Sequence, residues 1–194
     1  MAGKGATIPF GARIYKRGRV NQDEAIVLEP RERAYVLTDE SPLGISFHET
    51  KCTGYLAEFQ DFIPSLTRNC PRPLDELELF GSVDFDNDAC YEFVEDVRTC
   101  EMPDEDEVDE FRFVEKSEDE DEEDEIVELS RGCKRFIRDN LDYSGCVNNH
   151  QFDPFFDQGE WYIYLEREDH LWRSEREIIR LIDREGRTVD VLEY

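Results

Sequence analysis

The chain has 194 residues, 49 Asp and Glu against 23 Lys and Arg, and a net charge of −26. Such a charge opposes binding to DNA, RNA or an anionic bilayer, none of which offers the cations an acidic surface needs. The length suits a single domain, residues 1–194, with insertions, and no stretch reaches the roughly 20 apolar residues of a membrane span.

The opening "MAGKGATIPFGARIY" lacks an apolar core and a cleavage site, so no export signal is expected in it. "ARIYKRGRV" and "EAIVLEPRERAYVLTD" then read as strands, the second pair broken by a turn at Pro30-Arg31-Glu32. Ala34, Val36 and Thr38 alternate with Tyr35 and Leu37, and "SPLGISF" continues as a loop and a further strand.

The pattern changes at Cys52. "CTGYLAEFQDFIPSL", "ACYEFVEDVRTC" and "CKRFIRDNLDYSGC" each place apolar residues at helical spacing: Tyr55, Leu56 and Phe59; Phe93, Val94 and Val97; Phe136, Ile137 and Leu141. Pro64 is expected to end the first helix, and Gly145 to lie just past the third. The three helices define a Cys-bearing insertion over residues 50–150.

Between the second and third helices, Glu101–Glu128 carries 17 Asp and Glu against Arg112 and Lys116. Like charges repel and bury little, so 104–125 is expected to be a solvated, mobile acidic loop, with "FRFV" its one ordered piece. That loop serves as a spacer and solubiliser; the sharper alternative is docking onto a basic partner or holding divalent ions loosely.

Strand texture returns with "EWYIYLERED", where Trp161, Ile163 and Leu165 alternate with Tyr162 and Tyr164. The chain closes in a hairpin. Ile178, Ile179, Leu181 and Ile182 face Val189, Val191 and Leu192 across Asp183–Gly186, with Gly186 expected in a left-handed conformation. Trp172, Leu181 and Val189 are assigned to the core. The two ends are expected to meet in one sheet, because an isolated hairpin is barely stable.

Cys52, Cys70, Cys90, Cys100, Cys133 and Cys146 contain no C-x-x-C pair, which removes the commonest zinc and thioredoxin-like signatures. Three disulfides and an oxidising compartment are expected instead. The connectivity stays open. Cys52–Cys70 and Cys133–Cys146 are the easier neighbours, each with a loop after its helix. Cys90 and Cys100 would lie roughly 15 Å apart on a continuous helix, beyond the roughly 4.4–6.8 Å a disulfide allows.

"LW" followed by "EIIRLIDREGRTVDVLEY" resembles the last strands of lamin-tail domains: an apolar strand, Asp, a turn with Gly, Val-Asp and a closing aromatic. "IVLEPRERAYVLTD" is similar to that family's middle strands, and "KCTGYLAEFQDF", "CYEFVEDVRTC" and "SGCVNNH" resemble the insertion of a bacterial, Cys-bearing subset. The likeness is strongest over 33–70 and 161–194, and the family's acidic, aromatic opening strand is not visible. It implies a mainly β protein, an immunoglobulin-like β-sandwich with a helical, disulfide-bearing insertion, attached to exported or cell-surface bacterial proteins. It implies no catalytic residue and no cofactor.

Catalytic motifs are not visible. There is no G-x-S-x-G, no H-E-x-x-H around His48, His150 or His170, and no Gly-rich phosphate loop. His150 with Asp153 can form an acid–base pair; the plainer reading is a surface-loop histidine near a proline turn. In "DFDNDACYEFVE", Asp84, Asp86, Asp88 and Glu95 fall at positions 1, 3, 5 and 12 of a calcium loop, but Ala89 stands where such a loop needs glycine. Asp86 and Asp88 as caps of the following helix are the competing reading. Trp161, Tyr162, Tyr164 and Trp172 are the ring-bearing candidates for stacking on sugar.

The expected function is a non-enzymatic, extracellular or cell-surface binding or scaffolding module, with a protein or glycan partner and neither nucleic acid nor membrane insertion. The alternative is a carbohydrate-binding domain, accessory to a cell-wall hydrolase.

Overall fold

The computed structural model describes residues 5–16, 21, 23–80, 88–115, 124–157, 159–167, 171–172 and 176–193. The expected sandwich is not what forms. The chain is mixed α/β, about 28% helix and 20% strand, and its strands lie in separate small sheets. The main sheet has the order β1(Gly11–Ala12), β3(Ser46–His48), β6(Trp161–Tyr164), β2(Ala34–Leu37). β6 is its axis, parallel to β2 with Ala34 opposite Trp161 and antiparallel to β3 with Phe47 opposite Tyr162. The expectation that early and late strands meet therefore holds for β2, β3 and β6. It fails for the closing hairpin, β7(Ile178–Ile182) and β8(Thr188–Glu193), which among the described residues pair with each other alone.

The long first strand shrinks to Gly11–Ala12, bridged to Glu24, and 17–20 lie outside the described residues. Every residue of β6 is buried, so the period-2 alternation does not separate a wet face from a dry one. A strand covered on both faces needs apolar or aromatic side chains throughout, and "WYIY" supplies them.

The first expected helix is a 3-10 segment, Thr53–Glu58, which ends before the cis Ile63–Pro64 bond. The second and third form as α2(Asp88–Asp96) and α4(Arg131–Asn140). Cys90, Phe93 and Val94 make the buried stripe of α2, and Cys133, Phe136 and Ile137 that of α4. Ser130 caps α4 by accepting from the Cys133 N–H at 3.1 Å.

Two further helices flank these. α1(Pro73–Leu79) starts on a proline with Asp75 and Glu76 in its first turn. α5(Tyr143–His150) begins directly after α4, where Asp142 accepts from the Gly145 N–H at 2.6 Å. A Cβ at Gly145 would lie 2.5 Å from the Asp139 carbonyl, so glycine permits this tight junction rather than trailing a helix.

The acidic segment is also more ordered than expected. α3(Glu105–Glu110) carries a capping box: Asp104 Oδ1 accepts from the Glu107 N–H at 2.7 Å, and Glu107 reaches back to the Asp104 N–H. "FRFV" contributes to β4(Arg112–Glu115), paired antiparallel with β5(Glu125–Glu128), so that Phe113 faces Val127. Both are partly buried against the helical core, as is Phe111. Residues 116–123 lie outside the described residues.

All six cysteines are paired, as Cys52–Cys146, Cys70–Cys100 and Cys90–Cys133. No sequence neighbours of the easier kind are joined. α2 and α4 bring Cys90 to Cys133 across one core, while α5 brings Cys146 to Cys52 across the other. One core gathers Phe47, Leu56, Tyr143, Tyr162 and Tyr164 around the Cys52–Cys146 and Cys70–Cys100 bridges. The other gathers Leu77, Phe93, Val94, Phe136 and Leu141 around Cys90–Cys133.

Candidate functional site

α1 and α5 converge on a chain of three titratable side chains. Glu76 projects from the first turn of α1, where it is buried and its acidic neighbour Asp75 only partly so. His150 ends α5, and Asp153 follows in the turn closed by the hydrogen bond from the Asp153 N–H to the His150 carbonyl. The imidazole Nε2 bonds Glu76 Oε1 in a very short contact, and Nδ1 lies 2.6 Å from Asp153 Oδ2. Glu76 is 1% exposed and His150 5%. His150 is thus a buried helix-end histidine, not a surface-loop one.

The surroundings complete the polar set. Asn149 donates its side-chain N–H to Glu76 Oε2 at 3.2 Å and to Asn140 Oδ1 at 3.1 Å. Lys51 Nζ stands 3.6 Å from Asp153. The hydrogen bond from His150 holds the Asp153 carboxyl below the usual aspartate range, against a smaller upward push from burial, with Lys51 adding to the fall. Burial raises the Tyr55 hydroxyl, and the charge of Glu76 adds to it. Glu76, His150, Asp153 and Lys51 line a cleft of about 810 Å³, together with Leu79 and Phe155.

A second histidine repeats part of the theme. His48, fully buried, places Nε2 2.7 Å from Glu32 Oε1 and its ring edge-on to Trp161 at 5.1 Å. Burial raises the Glu32 carboxyl, but the Glu29 N–H and His48 together pull it below the ordinary value. No local pattern links His48 to Glu32, which lies in the Pro30 turn 16 residues away, and only the fold joins them.

The remaining sequence candidates fare differently. Asp84 and Asp86 of the calcium spacing lie outside the described residues. Asp88 opens α2 and suits its positive end, while Glu95 is exposed on the same helix. Among the described residues no group of three or more His, Cys, Asp or Glu could hold a metal ion. Trp161, Tyr162 and Tyr164 are buried at 1–3% exposure, so they offer no stacking platform; Trp172 is half-buried. Phe152 and Phe155, in the turns after α5, are well-exposed rings, at 90% and 74%. His170 lies outside the described residues.

The other prominent surface is the closing hairpin. Its turn forms where expected: Gly186 has φ +79°, and the Asp183 N–H donates to the Arg187 carbonyl at 2.9 Å. Asp183 accepts from the Glu185 and Arg187 N–H groups, and the Arg187 bond leads in holding its carboxyl below the ordinary range. Its apolar side chains are not in a core. Leu181 and Val189, assigned to the interior from the sequence, are 39% and 63% exposed, and Ile178, Val191 and Leu192 are each at least half exposed. Neither apolar core includes a residue of β7 or β8.

No family model, no curated protein and no solved structure matches this chain. The lamin-tail likeness therefore rests on the residues quoted for it. Among the described residues, no helix is long and apolar enough to cross a membrane.

Glu76 was not singled out in the sequence, although Pro73 with Asp75 and Glu76 is a legible helix start. Nothing in the local pattern distinguishes Glu76 from Asp75 or Glu78. Its partner lies 74 residues away.

Proposed function

We propose that this chain is a non-enzymatic binding module of an oxidising, extracellular or cell-surface setting. Its closing hairpin takes up an apolar segment of a basic protein. The carrying observation is the hairpin β7–β8, which exposes Ile178, Val189, Val191 and Leu192 and joins neither core. A two-stranded ribbon of this kind is barely stable alone, and its free edges and apolar side chains suit strand addition by a partner. The charge of −26 selects for a basic protein and steers it in.

Two observations favour binding over catalysis. Both ring nitrogens of His150 are taken by carboxylates, so neither is open to deprotonate a hydroxyl. All six thiols are in disulfides, which also favours an oxidising compartment. The resemblance to lamin-tail domains supports the same setting from the sequence.

The test uses the intact oxidised protein, a basic amphipathic strand peptide (alternating Val and Lys) and its Glu-for-Lys counterpart. Binding of the basic peptide, lost in Val189→Glu/Leu192→Glu while the denaturant midpoint holds, supports the proposal. Equal binding of both peptides, or binding indifferent to the hairpin variant, rejects it. Binding of soluble cell-wall glycan instead, unaffected by the hairpin variant, would move the function to the carbohydrate alternative, with Phe152 and Phe155 as its first residues to replace.

A further inference from the structure

We propose that Glu76, His150 and Asp153 form a pH-operated clasp that holds two bridging protons in the folded protein, and that loss of one at alkaline pH loosens helix α1 from helix α5. The inference starts from a proton count. An ionised carboxylate only accepts hydrogen bonds, and a neutral imidazole carries one N–H. Here a carboxylate oxygen faces each ring nitrogen, Glu76 at Nε2 and Asp153 at Nδ1. Two bridges need two protons, whereas a neutral ring between two carboxylates supplies one. The cluster therefore carries a second proton, on the ring or shared with Glu76, and a net charge of −1. That proton belongs to the cluster rather than to either residue.

The groups around the cluster make this proton matter. From α1, Glu76 is buried, while Arg72 is exposed and engaged with Asp75 at 2.7 Å. From the loop before the 3-10 segment, Lys51 faces Asp153. The 3-10 segment contributes the Tyr55 hydroxyl, and the start of α5 contributes Asp142, whose charge, like that of Glu76, is felt at Tyr55. Asn149 and Asn140 are neutral dipoles. The ring proton is thus the positive charge placed against Glu76 itself. When it leaves, a bare nitrogen lone pair faces a buried carboxylate oxygen, a repulsive contact that costs the folded state.

The consequence is structural. α1 sends Leu77 into the helical core with α2, but the bonds shown between it and α5 are polar, from Glu76 to His150 and Asn149. The clasp stabilises the folded chain while the second proton is bound, and that contribution is lost as pH rises and the proton leaves. The α1–α5 contact is held while that proton is bound and loosens when it leaves.

The experiment is denaturant unfolding of the oxidised full chain between pH 5 and 9, for the parent and for Glu76→Gln. A glutamine amide donates to Nε2 while Nδ1–H still donates to Asp153, so both bridges form without the second proton. The parent's unfolding constant should rise with pH, by at most about tenfold per unit, wherever the folded cluster keeps a proton that the unfolded chain has released. The variant should lack that component, and the His48–Glu32 pair, present in both, cancels in the difference. Superposable slopes for the two proteins overturn the proposal. If the variant does not fold, nitrogen and carbon NMR of the parent near neutral pH decides. Protons on both ring nitrogens, or one on the Glu76 carboxyl, uphold it; a single ring proton beside an ionised Glu76 overturns it.

Discussion

The stapled body and the closing hairpin are built from similar apolar material and end in opposite situations. "WYIY" of β6 and "IIRLI" of β7 are both strong strand formers, yet β6 is wholly buried and β7 largely exposed. β6 has β2 and β3 on its edges and aromatic rings on its face, with Phe47 stacked on Tyr162 at 5.1 Å. β7 has only β8. Strand propensity and burial are therefore separate properties, and only a neighbouring element converts the first into the second.

The comparison breaks most readily at the disulfides. Replacing Cys52 and Cys146 together by Ser opens the longest bridge, with a sequence separation of 94, against 30 for Cys70–Cys100. On the chain-entropy argument the losses are roughly 4.7 and 3.7 kcal/mol. Denaturant melts of the two double variants should fall in that order, with the hairpin's amide exchange unaffected in both. A coincident loss of hairpin protection would join the two regions into one cooperative unit.

Phe47→Ala comes next. It removes a fully buried ring from the face of Tyr162 and should cost about 3–5 kcal/mol. Leu192→Ala, at 58% exposure, should change global stability by no more than about 0.5 kcal/mol. A comparable loss at both sites would show that the hairpin packs on the body.

Acid should act on the body before the hairpin's own apolar contacts. Asp153 and Glu32 both have carboxyls held below their ordinary values, by His150 in one case and by Glu29 and His48 against burial in the other. A depressed carboxyl stabilises above its unfolded value, and that contribution is lost as pH falls through the folded one. Unfolding should therefore become easier below about pH 4, and Asp153→Asn should flatten part of that limb. A variant with the parent's acid limb would show the His150 bond to be without energetic weight.

Gly186→Val gives the smallest global effect. Forcing a β-branched residue to φ +79° costs about 1–2 kcal/mol, but the cost should be confined to the hairpin. Faster amide exchange across Ile178–Glu193 with an unchanged denaturant midpoint is the expected result. A midpoint shifted by the full amount would again tie the hairpin to the body.

Particular residues mark how far the sequence carries. The hairpin turn was legible because Asp183 and Gly186 are local turn chemistry, satisfied by bonds within five residues. α2 and α4 were legible because Phe93 and Val94, or Phe136 and Ile137, repeat at helical spacing. α3 was missed because charge density was weighed above Asp104-x-x-Glu107, a capping box written plainly ahead of the buried Val108. The β-sandwich is what the lamin-tail resemblance implies and does not form; the single sheet expected from the end strands forms without the hairpin, which no local pattern could decide.

By itself the sequence determined the acidic charge, the hairpin turn and two amphipathic helices, because each depends on composition or on neighbours a few residues apart. Tertiary structure alone decided which cysteines pair, that β6 is covered on both faces while β7 is not, and that Glu76 meets His150. Those outcomes depend on contacts between residues tens of positions apart, 94 for Cys52–Cys146 and 74 for Glu76–His150. The cost of closing such loops is met by the packing of the whole body rather than by any local pattern.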